Sequence, residues 1–428
     1  MVSSSTIRFR DRAILPFVFF ILLVGCCHGS GQRIEALLVG KVDTANPPAR
    51  WFSSEPLVDF SLVPTGTFRS YSFTIDEARR LVRIYFPRNM ARLSEYDFID
   101  FRGVFMEALL PVQIENLRSG IVDRGMGAFL ELGGITKNWA EGVNLPWVES
   151  TLAEAFPNDP WAGEIWEKYK DLYGTRAYKV EVNRDPTLPP VISMFLPLGI
   201  ENVRGFWYSV LLVPQQGTTT WGWAKGSYPG NPPWLLSWTY GKGMTWSVAD
   251  SLDTPWWDDA FNLVTAGGSS SDQQYGLDIL LNIVLHSLGR PLPDDVVLLN
   301  TIRRMFQLTG EKVSTLYSFM DFVERFGVSS SRLMAEQQAV EEIVLGAENL
   351  YLDGFYQDSL SELERAEEVL RELNKKALKW KDQALFWIYL IEWAAVTGTL
   401  TLAGSFTYMA MLRRRFYRQV KITRFGQD

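Results

Sequence analysis

The two ends of the chain constrain it most. An apolar run from Ala13 to Cys27 follows Arg8, Arg10 and Arg12, and a second run from Trp393 to Leu412 precedes Arg413, Arg414 and Arg415. About 20 uncharged residues, each rising about 1.5 Å in a helix, suffice to cross the hydrocarbon core of a bilayer. The first run, of about 15 residues behind a basic stretch, suits the apolar region of a secretory signal over residues 1–29 better than a span. The positive-inside rule then keeps the basic tail, 413–428, in the cytoplasm. A single span at 385–412 would hold the body outside the cell membrane.

Leu23-Val24-Gly25-Cys26 is similar to the lipobox of lipoproteins, which makes Cys26 a candidate for lipidation; ordinary cleavage between Gly25 and Ser30 is the alternative. Cys26 and Cys27 are the only cysteines, so the exported body has neither a disulfide nor a thiol nucleophile. Its histidines are His286 and, if retained, His28, an inventory too small for a zinc site or a histidine acid–base pair. No nucleotide-binding glycine pattern and no EF-hand loop occurs, and neither cofactor nor metal is expected. The formal net charge is -7. Without the two basic ends, 33 basic face 47 acidic residues, a surface that repels nucleic acid.

From Gln32 to Pro293, strand-like and helix-like segments alternate, the pattern of an α/β layered domain. Strands are expected at Ile34–Val39, Leu57–Val63, Tyr96–Asp100 and Ala128–Leu132, with helices at Ile75–Val82, Asn89–Leu93, Pro111–Val122 and Leu145–Phe156. Four later strands, at Gly205–Val213, Thr218–Ala224, Trp234–Tyr240 and Met244–Ala249, are punctuated by Gly and Pro turns, among them a tight hairpin at Gly241-Lys242-Gly243. A closing helix, Gln274–Leu288, precedes a boundary at Gly289–Pro293. An all-helical stalk follows over residues 294–383: Asp295–Leu308, Lys312–Phe326, and a hairpin of Ser331–Leu352 with Gln357–Gln383.

Tyr96-Asp97-Phe98-Ile99, then Gly127 to Gly134 with Trp147 to Phe156, then Trp234 to Asp250 with Trp256 together resemble the class I glutamine amidotransferase-like domains of non-catalytic, membrane-attached proteins. The resemblance covers about residues 32–293 and implies a flavodoxin-like sheet with helices on both faces. Enzymes of that kind carry a cysteine in a strand-to-helix elbow and a histidine after a late strand. Here the elbow reads Leu132-Gly133-Gly134-Ile135 and the late position is near Asp250, so glutamine hydrolysis is not expected.

Several groups are candidates for binding. Gly133 and Gly134 could present backbone amides to an anion. Asp250, Asp253, Asp258 and Asp259 surround Trp256 and Trp257, a mixture of carboxylates and aromatic faces that could hold a glycan or, if two carboxylates faced each other, cleave one. Leu363, Val369 and Leu370 form an apolar stripe on the hairpin that could dock a protein partner. Glu392, among Trp387, Tyr389 and Trp393, reads as an interfacial residue. The expectation is a non-catalytic membrane adaptor or binding protein with a protein partner in the same membrane or envelope. A carbohydrate-binding or carbohydrate-cleaving surface protein and a structural subunit of a membrane complex are the alternatives.

Overall fold

The computed structural model describes residues 32–66, 74–131, 145–159, 177–206, 212–226, 230–258, 274–325 and 331–424. Cys26, the first apolar run, Gly133, Gly134 and Asp259 lie outside these residues. The described residues hold one mixed sheet built of β1 (Ile34–Lys41), β2 (Val58–Gly66), β3 (Phe98–Arg102), β4 (Gly127–Glu131), β5 (Ala177–Val182), β6 (Arg204–Phe206), β7 (Thr219–Lys225), β8 (Pro233–Tyr240) and β9 (Gly243–Val248). Their spatial order is β2-β1-β3-β4-β9-β8-β7-β5-β6. The first five in that order run parallel; β8, β7, β5 and β6 continue it antiparallel.

The parallel half is covered on both faces, as the near-continuous apolar strands require. In β1, Ile34, Ala36 and Leu38 enter one core while Leu37 and Val39 enter the other. The second core also takes in Ala78 and Val82 of α2 (Ile75–Tyr85), Leu93 of α3 (Met90–Leu93), and Leu117 and Ile121 of α4 (Pro111–Arg124). The first takes in α1 (Ala49–Phe52) and the apolar side chains of the closing helix, Gly276–Ser287, which becomes α6 after the one-turn α5 (Leu145–Val148). Local signals set the helix ends. Thr74 and Glu77 form a capping box at the start of α2, the Glu77 carboxylate accepting from Thr74 N at 2.8 Å. Pro111 opens α4 and Gly125, at φ 83°, ends it. In the β8–β9 hairpin, Gly241 has φ 64°, and a Cβ there would lie 2.5 Å from the Val122 carbonyl oxygen, so only glycine fits.

Three local expectations change. The helix expected over Leu145–Phe156 is α5 followed by a 3₁₀ turn at Ala153–Ala155. Strand β5 was not anticipated, although its pattern alternates, with Tyr178, Val180 and Val182 buried. The two helices expected over residues 295–326 are one, α7 (Val296–Arg325), because Gly310 costs a helix only about 1 kcal/mol and its side meets nothing within 4 Å.

The chain forms two compact units: residues 1–307 with 348–360, and residues 308–347 with 361–428. The sheet unit thus extends beyond Pro293 and takes in the tip between α8 (Ser331–Leu352) and α9 (Tyr356–Arg424). The second unit has its own core, in which Leu316 and Met320 of α7, Val340 of α8 and Leu370, Leu373 and Ala377 of α9 pack together. Helix α9 is 69 residues long, so the second arm of the expected hairpin and the expected span are one continuous helix. No proline interrupts it.

Phe129, fully buried between β3 and β9, provides a test of the sheet. Phe129→Ala is expected to lower unfolding stability by about 3–5 kcal/mol in urea titration. A loss under about 1 kcal/mol would mean that the described packing at β4 is wrong.

Candidate functional site

In a parallel sheet buried on both faces, strands are expected to be apolar, yet β3 reads Phe-Ile-Asp-Phe-Arg and β4 ends in Glu131. Asp100, Arg102 and Glu131 are at most 3% exposed. They gather at the carboxyl ends of the strands with Asp253, which follows β9. Arg102 Nε lies 3.3 Å from Glu131 Oε2, Arg102 Nη2 lies 2.5 Å from Asp253 Oδ1, and Arg102 Nη1 donates to the Pro47 carbonyl at 3.1 Å. Ser251 Oγ and Leu252 N both donate to Glu131 Oε2, at 2.6 and 3.0 Å. The chain after β9 is therefore tied to the end of β4 through one carboxylate.

Three carboxyl groups surround one guanidinium here, so charge does not balance if all ionise. Neither oxygen of Asp100 receives a hydrogen bond from a nitrogen or hydroxyl donor among the described residues. Its neighbour is the Glu131 carboxyl, and two carboxyls share such a contact favourably when one keeps its proton. Burial, and then the charge of Glu131, hold Asp100 well above the usual aspartate range. Burial also raises Glu131, against the opposing pull of Arg102 and the Ser251 hydroxyl. For Arg102, burial acts downward but is outweighed by Asp253 and Glu131, which keep it charged. Lys41, at the end of β1, is pushed down by burial and by Arg102. Among the described residues no group of three or more His, Cys, Asp or Glu side chains is arranged to hold a metal ion.

The described residues singled out between Asp250 and Asp258 are buried rather than displayed. Asp250 is fully buried beside Tyr178 of β5, whose hydroxyl donates to Asp250 Oδ2, while Ser251 N donates to Oδ1 at 2.9 Å. Burial raises the Asp250 carboxyl well above its ordinary value despite these donors. Asp253 serves Arg102. Asp258 pairs with Arg50 at 2.6 Å. Trp256 and Trp257 are at most 1% exposed and pack on Trp234, with ring centroids 4.3 and 5.3 Å away. No open aromatic cleft forms from these residues, because the rings supply core to the antiparallel half of the sheet. Leu363 and Leu370 are fully buried, and Val369 packs against the core that Leu370 shares with α7 and α8. A third helix covers much of the stripe that a two-helix hairpin would have left open.

Sequence reasoning missed Asp100, Arg102 and Glu131, although charged residues inside short apolar strands were the available signal. It also missed a second buried network in the sheet unit. Arg303 of α7 lies with Nε 2.9 Å from Glu55 Oε2 and 3.0 Å from Tyr351 Oη, and with Nη1 2.5 Å from Asp278 Oδ1. Asn300 Nδ2 donates to the other Asp278 oxygen at 2.7 Å. The Arg303 guanidinium thereby holds a carboxylate 248 positions away in the chain.

No family model matches the chain, and no curated protein matches it. Among solved structures, it is similar to Cytoplasmic Protein STM3548 from Salmonella typhimurium, at 15% identity and a TM-score of 0.39, over 59% of this chain and 99% of that one. It is also similar to Cytoplasmic Protein STM1381 from Salmonella typhimurium LT2, at 12% identity and a TM-score of 0.36, over the same shares of the two chains. Likeness at this level assigns neither a fold family nor a function.

The raised Asp100 carboxyl sets a pH dependence. Unfolded, Asp100 loses its proton near pH 4; folded, it keeps that proton to higher pH. Stability from this group is therefore complete below about pH 4 and lost as pH rises toward the raised value. Asn cannot ionise, so Asp100→Asn should melt higher relative to the parent as pH is raised from 4 to 8; parallel melting curves across that range would refute the assignment. Arg102→Met, which strands the carboxylates, should cost about 3–5 kcal/mol in denaturant titration at pH 7.

Proposed function

We propose that this chain is a membrane-anchored binding or adaptor protein. Its α/β unit lies on the extracytoplasmic side and meets a protein partner in the same membrane or envelope, with no amidotransferase chemistry of its own. The observation that carries this reading is the apolar segment of α9. The helix is long and apolar enough to cross a membrane, and the chain buries none of that segment. Trp393, Leu400 and Phe406 are 66–70% exposed. Apolar surface of this extent is unstable in water and calls for lipid or protein around it. Arg413, Arg414, Arg415 and Arg418 follow the apolar stretch directly, which favours the cytoplasm for that end.

The adaptor part of the reading draws on the sheet. The order β2-β1-β3-β4-β9 in its parallel half corresponds to the 2-1-3-4-5 order of flavodoxin-like sheets and agrees with the amidotransferase-like resemblance. That resemblance puts a thiol after β4 and an imidazole after the late strand. The described residues there are Glu131, tied to Arg102, and Asp250 to Asp253, tied to Tyr178, Arg102 and Glu131. The hydrogen bonds they make run among themselves, which suits a stable scaffold better than a site that must open to substrate; Asp253 Oδ2 accepts none among the described residues.

Membranes washed with alkaline carbonate should retain the full chain, and replacing Leu400, Leu402 and Phe406 together by lysine should release it to the supernatant. A parent chain that washes off would sink the anchor. In a background lacking Cys26 and Cys27, Arg414→Cys should react with an impermeant maleimide only after permeabilisation, and Asp358→Cys should react in intact cells; the reverse pattern would invert the topology.

A further inference from the structure

Apart from the Arg102 cluster, α2 and α3 and the turn between them carry a concentration of positive charge that the α/β body does not share. Between Ala78 and Ser94 there are five arginines, Arg79, Arg80, Arg83, Arg88 and Arg92, and no acidic residue. All five are exposed. The body as a whole is acidic, with 47 acidic against 33 basic residues between the two basic ends. Local ion pairs cover little of this charge. Arg79 meets Asp76 at 3.7 Å and Arg92 meets Glu95 at 3.0 Å, both exposed pairs three residues apart, the kind that stabilises least. Arg88 has no salt bridge among the described residues.

Two of the five, Arg88 and Arg92, line a crevice. Tyr85, Arg88, Asn89, Arg92, Glu95 and Tyr96 line a concavity of about 470 Å³ just before the amino end of β3. Tyr85 is 53% exposed and its neighbour Ile84 59% exposed. Guanidinium groups bind carboxylates through paired parallel hydrogen bonds, and exposed tyrosines add contact area with little entropy to lose. We propose that this crevice, with the arginine stripe of α2 leading into it, docks an extended acidic peptide segment of a partner protein. One carboxylate seats between Arg88 and Arg92, displacing Glu95 from its surface pair, and Tyr85 covers the chain beside it. Charge complementarity selects an acidic partner. The concave shape, with the Glu95 carboxylate in its wall, favours a peptide side chain over a lipid surface, which would be met by a convex and uniformly basic face.

The proposal deepens the binding reading given above by naming the partner's chemistry. Carbonate extraction reports the anchor and peptide titration reports the crevice, so either can fail alone. The full chain in phosphatidylcholine nanodiscs is titrated into a fluorescein-labelled peptide of four Glu-Glu-Tyr repeats and followed by anisotropy. Saturable binding is expected. Arg80→Gln with Arg88→Gln should weaken it at least tenfold, and Tyr85→Ala, at unchanged charge, at least threefold. Arg371→Gln on α9 should leave it within twofold. Arg88→Lys keeps the charge but loses the forked geometry; it should weaken binding severalfold, and it takes the place of the double variant if that variant does not fold. No saturable binding, a double variant within twofold of the parent, or an unaffected Tyr85→Ala would overturn the proposal. So would capture of the chain by phosphatidylglycerol vesicles through these arginines without peptide binding.

Discussion

Arg102 holds the charge balance of the sheet. A parallel sheet covered on both faces gives its interior side chains no access to water, so a carboxylate placed there must find a cation or keep a proton. Both solutions occur within one cluster. Glu131 and Asp253 share the one Arg102 guanidinium, and Asp100 is held in its protonated range by burial and by the charge of Glu131. The consequences reach beyond the cluster, because Glu131 also accepts from Ser251 and Leu252 and so fixes the chain after β9 to β4. That chain in turn brings Asp250 to Tyr178 of β5 and sets Trp256 and Trp257 against Trp234. The parallel and antiparallel parts of the sheet are thus coupled by polar contacts as well as by the β8–β9 ladder.

A second guanidinium does comparable work elsewhere in the same unit. Arg303 joins Glu55 from the loop before β2, Asp278 from α6 and Tyr351 from the end of α8. These contacts extend the sheet unit past the glycine and proline stretch at Gly289–Pro293, where composition alone suggests a boundary. Buried ion pairs of this kind add little net stability over apolar packing, but removing one partner strands the others at a cost of several kcal/mol. Such pairs therefore act through arrangement: the geometry that satisfies every group is the one in which these distant segments meet.

The functional reading follows from where apolar and charged surface remains. The carboxyl edge, where open α/β sheets usually meet ligands, is occupied in its described part by the buried side chains Asp100, Arg102, Glu131 and Asp253. Exposed apolar surface is concentrated instead on α9, which also carries the exposed Arg413, Arg414, Arg415 and Arg418, and five further exposed arginines lie on α2 and α3 and between them. In the proposed reading the helix would meet lipid and the arginines an acidic partner, a division of surfaces suited to a protein that holds a position and binds.

Much of this was legible in the residues themselves. Apolar runs bounded by Gly and Pro located β1 to β4 and β7 to β9, because a strand's period and its turn chemistry are local properties. The length and charge flanks of the last apolar run marked α9 as able to cross a membrane for the same reason. The site was less legible. Asp250 to Trp257 stood out as a cluster, but whether neighbouring carboxylates and indoles face a cleft or a core depends on what the rest of the chain places over them. Here Tyr178, Arg102 and Trp234, from 22 to 151 positions away by residue number, settle it. The stripe that includes Leu370 stays open in a two-helix hairpin, and it is the packing of α7 that covers Leu370. Local pattern determined which segments are strands, helices and a candidate span. Long-range packing alone decided which charges meet, which aromatic faces are buried and which surfaces are left free, since burial and ion pairing are set by distance in space.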